Sequence, residues 1–373
     1  MEFRDLKKQY QLHKTEIDSA MQSVLLSSHF IGGEPVKQLE EKLADYVGVK
    51  HCITCANGTD ALQLALMAWG IGEGDAVFVP DFTFFSTAEV VPWVKATPVF
   101  VDVEKDTFNI SPQSLEAAIQ EIIKEGKLTP KVVIAVDLFG QPADFPAIRV
   151  ITEKYNILLL EDGAQGFGGR IGEKMACSFG NIATTSFFPA KPLGCYGDGG
   201  AIFTDNDEWA RLIESYKVHG KGEHKYDNVR IGLNSRLDTL QAAVLLAKFD
   251  GFVEMEIDAV NRVAEQYIKC LSDVVEVPKV KEGFVSSWAQ YTVRVASNRD
   301  RLKAVLEENS IPNMIYYSKP LHEQLAFKEQ KRIYCGLDNT IELCSEVLSL
   351  PMHPYMENID VEYVCAAVRK LNS

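Results

Sequence analysis

The sequence predicts an α/β fold: a large domain on a mostly parallel seven-stranded sheet, followed by a smaller α+β domain. Three observations predict it. Short β-rich apolar runs alternate with helical patterns through the first two-thirds of the chain, the mark of a parallel sheet with helices on both faces. The run Ile157-Leu158-Leu159-Leu160 is apolar at every position, as in a strand buried on both sides. After about Arg236 the alternation stops and longer helical patterns take over. The 373 residues leave room for two or three domains at roughly 150 residues each. We draw the large domain over 1–245 and the small one over 246–373.

Taken in order, the strand candidates are His51–Thr54, Ala76–Pro80, Pro98–Val103, Val132–Asp137, Ile157–Glu161, Thr184–Phe187 and Ala201–Thr204. Helical patterns lie between several of them, at Ala61–Trp69, Ser86–Val94, Pro112–Lys124 and Pro142–Tyr155. Beyond Arg236, Leu237–Cys270 reads as one or two long helices. Gln290–Val295 alternates like a strand, and Arg299–Asn309 and Asp360–Leu371 read as further helices.

Composition excludes several classes. Hydrophobic residues are 46% and charged residues 24%, so a sizeable core can form. The formal charge is −14, from 38 basic and 52 acidic residues, which argues against non-specific nucleic-acid binding. There is no run of about 18 apolar residues to span a membrane. The charged start Met1-Glu2-Phe3-Arg4-Asp5 lacks a signal-peptide core, so a cytoplasmic protein is expected. Eight scattered cysteines in a chain of this size do not suggest a disulfide framework. Cys52-Ile53-Thr54-Cys55 has no second pair or nearby histidine, so buried free thiols are expected there and no metal site.

Four segments fall where ligands bind in an open α/β sheet, beyond the carboxyl ends of its strands. Cys55-Ala56-Asn57-Gly58-Thr59-Asp60-Ala61 joins a strand to a helix; it is either a plain helix cap or a phosphate cradle built from a helix N-terminus. Glu161-Asp162-Gly163-Ala164-Gln165 follows the most apolar strand. Asp162 either caps a turn or holds a pyridine nitrogen protonated. In Ser186-Phe187-Phe188-Pro189-Ala190-Lys191-Pro192-Leu193-Gly194, the lysine is either an exposed loop residue or an amine whose apolar setting lowers its pKa and makes it nucleophilic. Asp81-Phe82-Thr83-Phe84-Phe85-Ser86-Thr87 offers an aromatic ring that belongs to the core or lies flat on a cofactor. An amine, a ring-nitrogen acid, a phosphate pocket and a stacking ring are together what pyridoxal 5′-phosphate (PLP) needs.

These motifs, in this order, resemble the DegT/DnrJ/EryC1/StrS sugar aminotransferases, which have the aspartate-aminotransferase fold (fold type I). The resemblance rests on Asn57-Gly58-Thr59-Asp60-Ala61-Leu62, Glu161–Gln165, Lys191 with Leu193-Gly194, Gly197-Asp198-Gly199-Gly200 and Asn234-Ser235-Arg236-Leu237-Asp238. It runs from Phe3 to the last helix. It implies that Lys191 carries PLP and shuttles the substrate proton, that Asp162 pairs with the ring nitrogen, and that Gln165 bonds the ring hydroxyl. It further implies that Phe84 stacks on the ring, that Gly58, Thr59 and Ser186 bind the phosphate, and that Asn234 reaches the neighbour's phosphate across a homodimer.

Within the family, Ser186–Thr204, Asn234–Ala243 and Ser349–Pro354 are most similar to a branch that aminates C3 of UDP-2-acetamido-2-deoxy-3-oxo-glucuronate for bacterial surface polysaccharide (O-antigen). The implied amino donor is L-glutamate. Arg236 is then either a fork for the sugar carboxylate or a structural partner of Asp238. Two departures stand out. Gly163 replaces the branch's usual alanine, and Tyr316-Tyr317 replaces a His-Tyr pair near the UDP-sugar. The other readings are a 4-keto-sugar aminotransferase, or a non-catalytic PLP-fold regulator. A dehydratase of the family would carry histidine in place of Lys191. His29, His219 and His353 are read as loop or packing residues.

Overall fold

The computed structural model describes every residue except Lys225, Cys335 and Ser373. Its strands are β1 (His51–Cys55), β2 (Asp75–Pro80), β3 (Thr97–Val101), β4 (Thr129–Val136), β5 (Leu158–Asp162), β6 (Arg170–Ile171), β7 (Lys174–Met175), β8 (Ile182–Ser186), β9 (Gly200–Thr204), β10 (Phe284–Val285), β11 (Tyr291–Arg294), β12 (Arg332–Ile333) and β13 (Val347–Leu350). Eight form one sheet in the order β1-β9-β8-β5-β4-β2-β3-β12. The seven predicted strands are all in it. The eighth, β12, adds two exposed residues beside β3, too short a run for any periodicity to reveal. Within this sheet β9 is antiparallel to both neighbours, while β8, β5, β4, β2, β3 and β12 pair in parallel. β6, β7 and β10 form a small separate sheet, and β11 pairs with β13.

Apolar side chains fix this stack. β4 sends Val132 and Ile134 into the cluster on one face, and Val133 and Ala135 into the cluster on the other. A fully buried Leu, Ile or Val contributes about 1.5–3 kcal/mol each. That is why the centre of the sheet tolerates no polar position until its carboxyl end. Local signals set the helices. Ser111 accepts the amide of Ser114, Pro112 opens the helix Pro112–Glu125, and Gly126 closes it in the left-handed region at φ 66°. The helix expected from Pro142 starts instead at Phe145, because Asp144 accepts the amide of Ala147 and caps it there. Helices Leu6–Leu12, Lys14–Ser27, Glu34–Val47 and Asp207–Tyr216 were not predicted. The expected helical stretch after Leu237 is two helices, Thr239–Gly251 and Ile257–Leu271, joined by a π-helical turn at Phe252–Glu256.

β11 and β13 pack with helices Ile257–Leu271, Arg299–Glu308 and Asn358–Arg369 around Tyr267, Tyr291, Leu306 and Val364. Another cluster brings Phe82, Val136 and Phe139, just past or at the ends of β2 and β4, against Leu343 and Val347. Tyr316 and Tyr317 pack on that cluster, so this C-terminal loop lies over the carboxyl edge of the sheet. Among the described residues, no helix is long and apolar enough to cross a membrane. The cysteines described are all free, and burial pushes both the Cys52 and Cys55 thiols up, Cys55 to about 12.

Candidate active site

Asp162 ends β5, and β8 carries the chain on to Lys191, so the parallel pairing of β5 with β8 puts both at one edge. Asp162 is buried. Its carboxylate accepts the Thr87 hydroxyl at 2.8 Å and the Ala164 amide at 3.3 Å. Thr87 in turn lies 3.3 Å from the Thr83 hydroxyl. Burial raises the Asp162 pKa, and Thr87, Ala164 and the charge of Lys191 pull it back down. Both hydrogen-bond partners are neutral, so the carboxylate is oriented without a bonded cation and can still meet a positive charge from a ligand.

Lys191 sits in the half-turn Phe188–Lys191, where its own amide donates to the Phe188 carbonyl at 2.8 Å. The residue is half-buried. Loss of hydration lowers its pKa to about 8, against the attraction of Asp162 and helped by the charge of Arg4. Against an ordinary 10.5, a pKa of about 8 raises the uncharged fraction at neutral pH from well below a hundredth to about a tenth, and the uncharged amine is the form that attacks an aldehyde.

The cradle is steric as well as polar. A Cβ on Gly58 would come 2.8 Å from the Ser186 Cβ, so only glycine lets this helix start pass so close to the end of β8. Asn57 accepts the amide of Asp60; the amides before it belong to the turn that a helix leaves without internal partners. Thr59 and Ser86 hydroxyls meet at 2.7 Å beside them. Gly58, Thr59, Ser86 and Ser186 thus converge as amide and hydroxyl donors at a helix N-terminus, which suits a phosphate.

Gln165 is buried and doubly held: its carbonyl accepts the Phe139 amide at 2.7 Å, and its NH₂ donates to the Tyr317 hydroxyl at 3.3 Å. Its second amide hydrogen is left for a ligand. Tyr317 lies 6.0 Å from the Phe82 ring and 6.5 Å from the Phe84 ring, between centroids, and burial pushes its phenol up. Phe82 is core, whereas Phe84 is 54% exposed and has a free face. Tyr316 packs edge-on to Phe3.

Asn234 and Arg236 lie elsewhere. Both are exposed, and the Arg236 guanidinium donates to the Asn234 side-chain carbonyl at 2.6 Å. The alternative pairing of Arg236 with Asp238 does not occur; its bonded partner is neutral, and its charge stays available. Arg236, Asn234 and Asp238 line a cleft with Ala56, Gly197 and Asp198. His353 is buried near Arg4, Asp5 and Asp360, and burial lowers its pKa to about 4, which fits packing and not proton transfer. Gly163 is explained by its neighbour: a Cβ there would stand 2.5 Å from Cys177 Sγ.

Sequence reasoning missed Thr87, Ser86 and Arg4. Arg4 donates to the Lys191 carbonyl at 2.9 Å and the Pro192 carbonyl at 3.2 Å, across 187 positions of chain. No spacing rule reaches that far. Thr87 sits in a segment already singled out for its aromatics, and its hydroxyl was the signal passed over.

The residues present fit PLP: a steric phosphate cradle, a buried anion without a bonded cation, a low-pKa lysine and an aromatic with a free face. Comparison with known proteins agrees. Residues 11–369 match the DegT/DnrJ/EryC1/StrS aminotransferase family. The chain is 46% identical to the UDP-2-acetamido-2-deoxy-3-oxo-D-glucuronate aminotransferase of Pseudomonas aeruginosa, over 99% of both chains. It is 40% identical to a pleiotropic regulatory protein of Geobacillus stearothermophilus, over 96% of this chain and 95% of that one. It superposes on the crystal structure of a DegT DnrJ EryC1 StrS aminotransferase from Brucella abortus with a TM-score of 0.97 at 49% identity, covering 99% of each. The chain belongs to the DegT/DnrJ/EryC1/StrS aminotransferase family and is a PLP-dependent enzyme of fold type I.

Proposed function

We propose that this aminotransferase moves the amino group of L-glutamate to C3 of UDP-2-acetamido-2-deoxy-3-oxo-glucuronate. The place of work is the cytoplasm and the product serves surface polysaccharide (O-antigen) assembly. The substrate follows from the Pseudomonas aeruginosa relative, which matches this chain end to end. The observation that carries the chemistry is Asp162, buried and held by neutral donors, at one sheet edge with a lysine of pKa about 8.

PLP, when bound, supplies an electron sink for the carbon that loses its proton. The chain does the rest. Lys191 would hold the cofactor, and its amine would take the substrate proton and return it. Asp162 keeps the ring nitrogen protonated, and Thr87 and Ala164 hold it in place. Gly58, Thr59 and Ser186 bind the phosphate, Gln165 the ring hydroxyl, and Phe84 covers the ring face. Glutamate leaves as 2-oxoglutarate before the keto-sugar takes the amine.

Two copies of the chain share each site in this reading. Its support is the exposed pair Asn234 and Arg236, which a second protomer would present to the phosphate and to the sugar carboxylate. Tyr316 and Tyr317 face the sugar nucleotide. One hydrophobic cluster, from Val260 to Leu371, lies wholly beyond the π-helical turn at Phe252–Glu256 and supports a division of the chain near residue 245, although Leu321, Phe327 and Leu337 pack back against the large sheet.

A panel of 3-keto and 4-keto sugar nucleotides, with and without the carboxylate, tests the assignment. Arg236→Met should raise KM for the carboxylated substrate about tenfold or more and leave kcat within about threefold, a loss of one charge-assisted bidentate contact. Preference for a 4-keto sugar, or an unchanged KM, contradicts the substrate. The Geobacillus stearothermophilus relative favours a second reading, a regulator without turnover. Lys191 and Asp162 in working geometry speak against it.

A further inference from the structure

The loop that carries Lys191 has little regular pairing of its own. Proline at 189 and 192 removes two donors, and a Cβ on Gly194 would come 2.5 Å from the Pro189 carbonyl oxygen, so the loop lies close on itself there. Its carbonyls therefore need partners from outside. They find two cations. Arg4 Nη2 bonds the carbonyls of Lys191 and Pro192 at 2.9 and 3.2 Å, and Lys248 Nζ bonds the carbonyl of Gly194. Lys248 is 2% exposed, an uncommon place for an ammonium, and its hydrogen bond and the Tyr196 ring at 5.2 Å are its local compensation.

Behind the two cations stands one anion. Glu256, at the end of the π-helical turn, is buried and accepts Gln9 Nε2 at 3.2 Å and the Tyr355 hydroxyl, with His13 Nε2 at 3.9 Å. Its charge acts on both Arg4 and Lys248. The cluster joins the N-terminal segment, the helix Thr239–Gly251 and the segment before the last helix. Its cations address the backbone of the Lys191 loop, while the amine of Lys191 feels Asp162 on the other side.

We propose that Arg4 and Lys248 are positioning residues: they grip the Lys191 loop by three carbonyls and hold its amine toward Asp162. The proposal rests on Lys191 being the cofactor lysine. The grip also has an electrostatic face. The charged groups that act on the Lys191 amine are Asp162, from β5, and Arg4, from the N-terminal segment. Arg4 favours the uncharged amine, so removing it should raise the pH at which that amine becomes reactive.

The test uses full-length protein freed of PLP, in the parent, Arg4→Met, Arg4→Lys and Lys248→Met forms. PLP is added across a pH series, and the visible band of lysine-bound cofactor is followed, with thermal melting as a fold control. The parent should capture PLP with a midpoint near pH 8. Arg4→Met should shift that midpoint upward and weaken PLP retention about tenfold, as a misplaced reacting group does. Arg4→Lys should restore most of the midpoint. Lys248→Met should weaken retention with a smaller shift. Folded Arg4→Met and Lys248→Met proteins with the parent's midpoint and retention overturn the proposal, whether or not their melting points fall. A parent that shows no band with PLP refutes the cofactor lysine itself.

Discussion

Lys191→Ala is expected to abolish amino transfer while the protein folds as before. Proton transfer by a positioned group is worth about 10²–10⁴-fold, and loss of the covalent anchor adds to it, so turnover should fall by more than about 10⁴-fold. The fold should survive because Lys191 brings a cost to the protein freed of cofactor. Its pKa is about 8 in the folded chain against an ordinary 10.5. The unfolded chain then binds more protons between those two values, and stability rises with pH across that window. Below pH 8 the folded protein carries a penalty on the order of 3 kcal/mol from this amine. Lys248, also lowered by burial to about 8, contributes a rise of the same sign. Lys191→Ala should therefore make the PLP-free protein more stable than the parent below pH 8, with the difference shrinking toward pH 10.5, read by urea unfolding. Full turnover in the variant would remove Lys191 from the mechanism.

Asp162→Asn should be the second largest loss. The amide keeps the size and can still accept from Thr87, at 2.8 Å in the parent. What it loses is the negative charge opposite a ring nitrogen. Breaking a buried ion pair by removing one partner costs about 3–5 kcal/mol. At 1.36 kcal/mol per decade this is about 10²–10⁴-fold in kcat. The visible spectrum should still show bound PLP, because Lys191 and the phosphate cradle are intact. Thr87→Val, which removes one of the two donors that orient Asp162, should cost less, about tenfold, at one neutral-to-charged hydrogen bond. An Asp162→Asn enzyme within threefold of the parent would show that the carboxylate merely caps β5.

Much of this was legible in the chain, for particular reasons. The seven main strands showed because each is a short apolar run between turn signals. Lys191, Asp162 and Gly58 stood out as candidates because their segments follow strand ends, where chemistry-bearing residues break an apolar pattern, while the part given to Ser186 came with the family resemblance. The helix Lys14–Ser27 did not show, since it buries only Ile17 and Val24 and has little apolar stripe to read, whereas Glu34–Val47 carried a readable stripe, Leu39, Leu43 and Val47 after Pro35, that was passed over. β12 did not show because its two residues pair by proximity to β3. Arg4 and Lys248 were invisible as site residues for another reason: they act on backbone carbonyls, and the partners of a carbonyl leave no mark in sequence. The Gly163 departure became intelligible only beside Cys177, fourteen residues on, whose thiol fills the space of a methyl.

The most direct measurement is the visible absorbance of the purified protein with PLP, before and after L-glutamate. The account predicts a yellow band that bleaches when glutamate is added. No band, even with added PLP, would contradict the account at its centre.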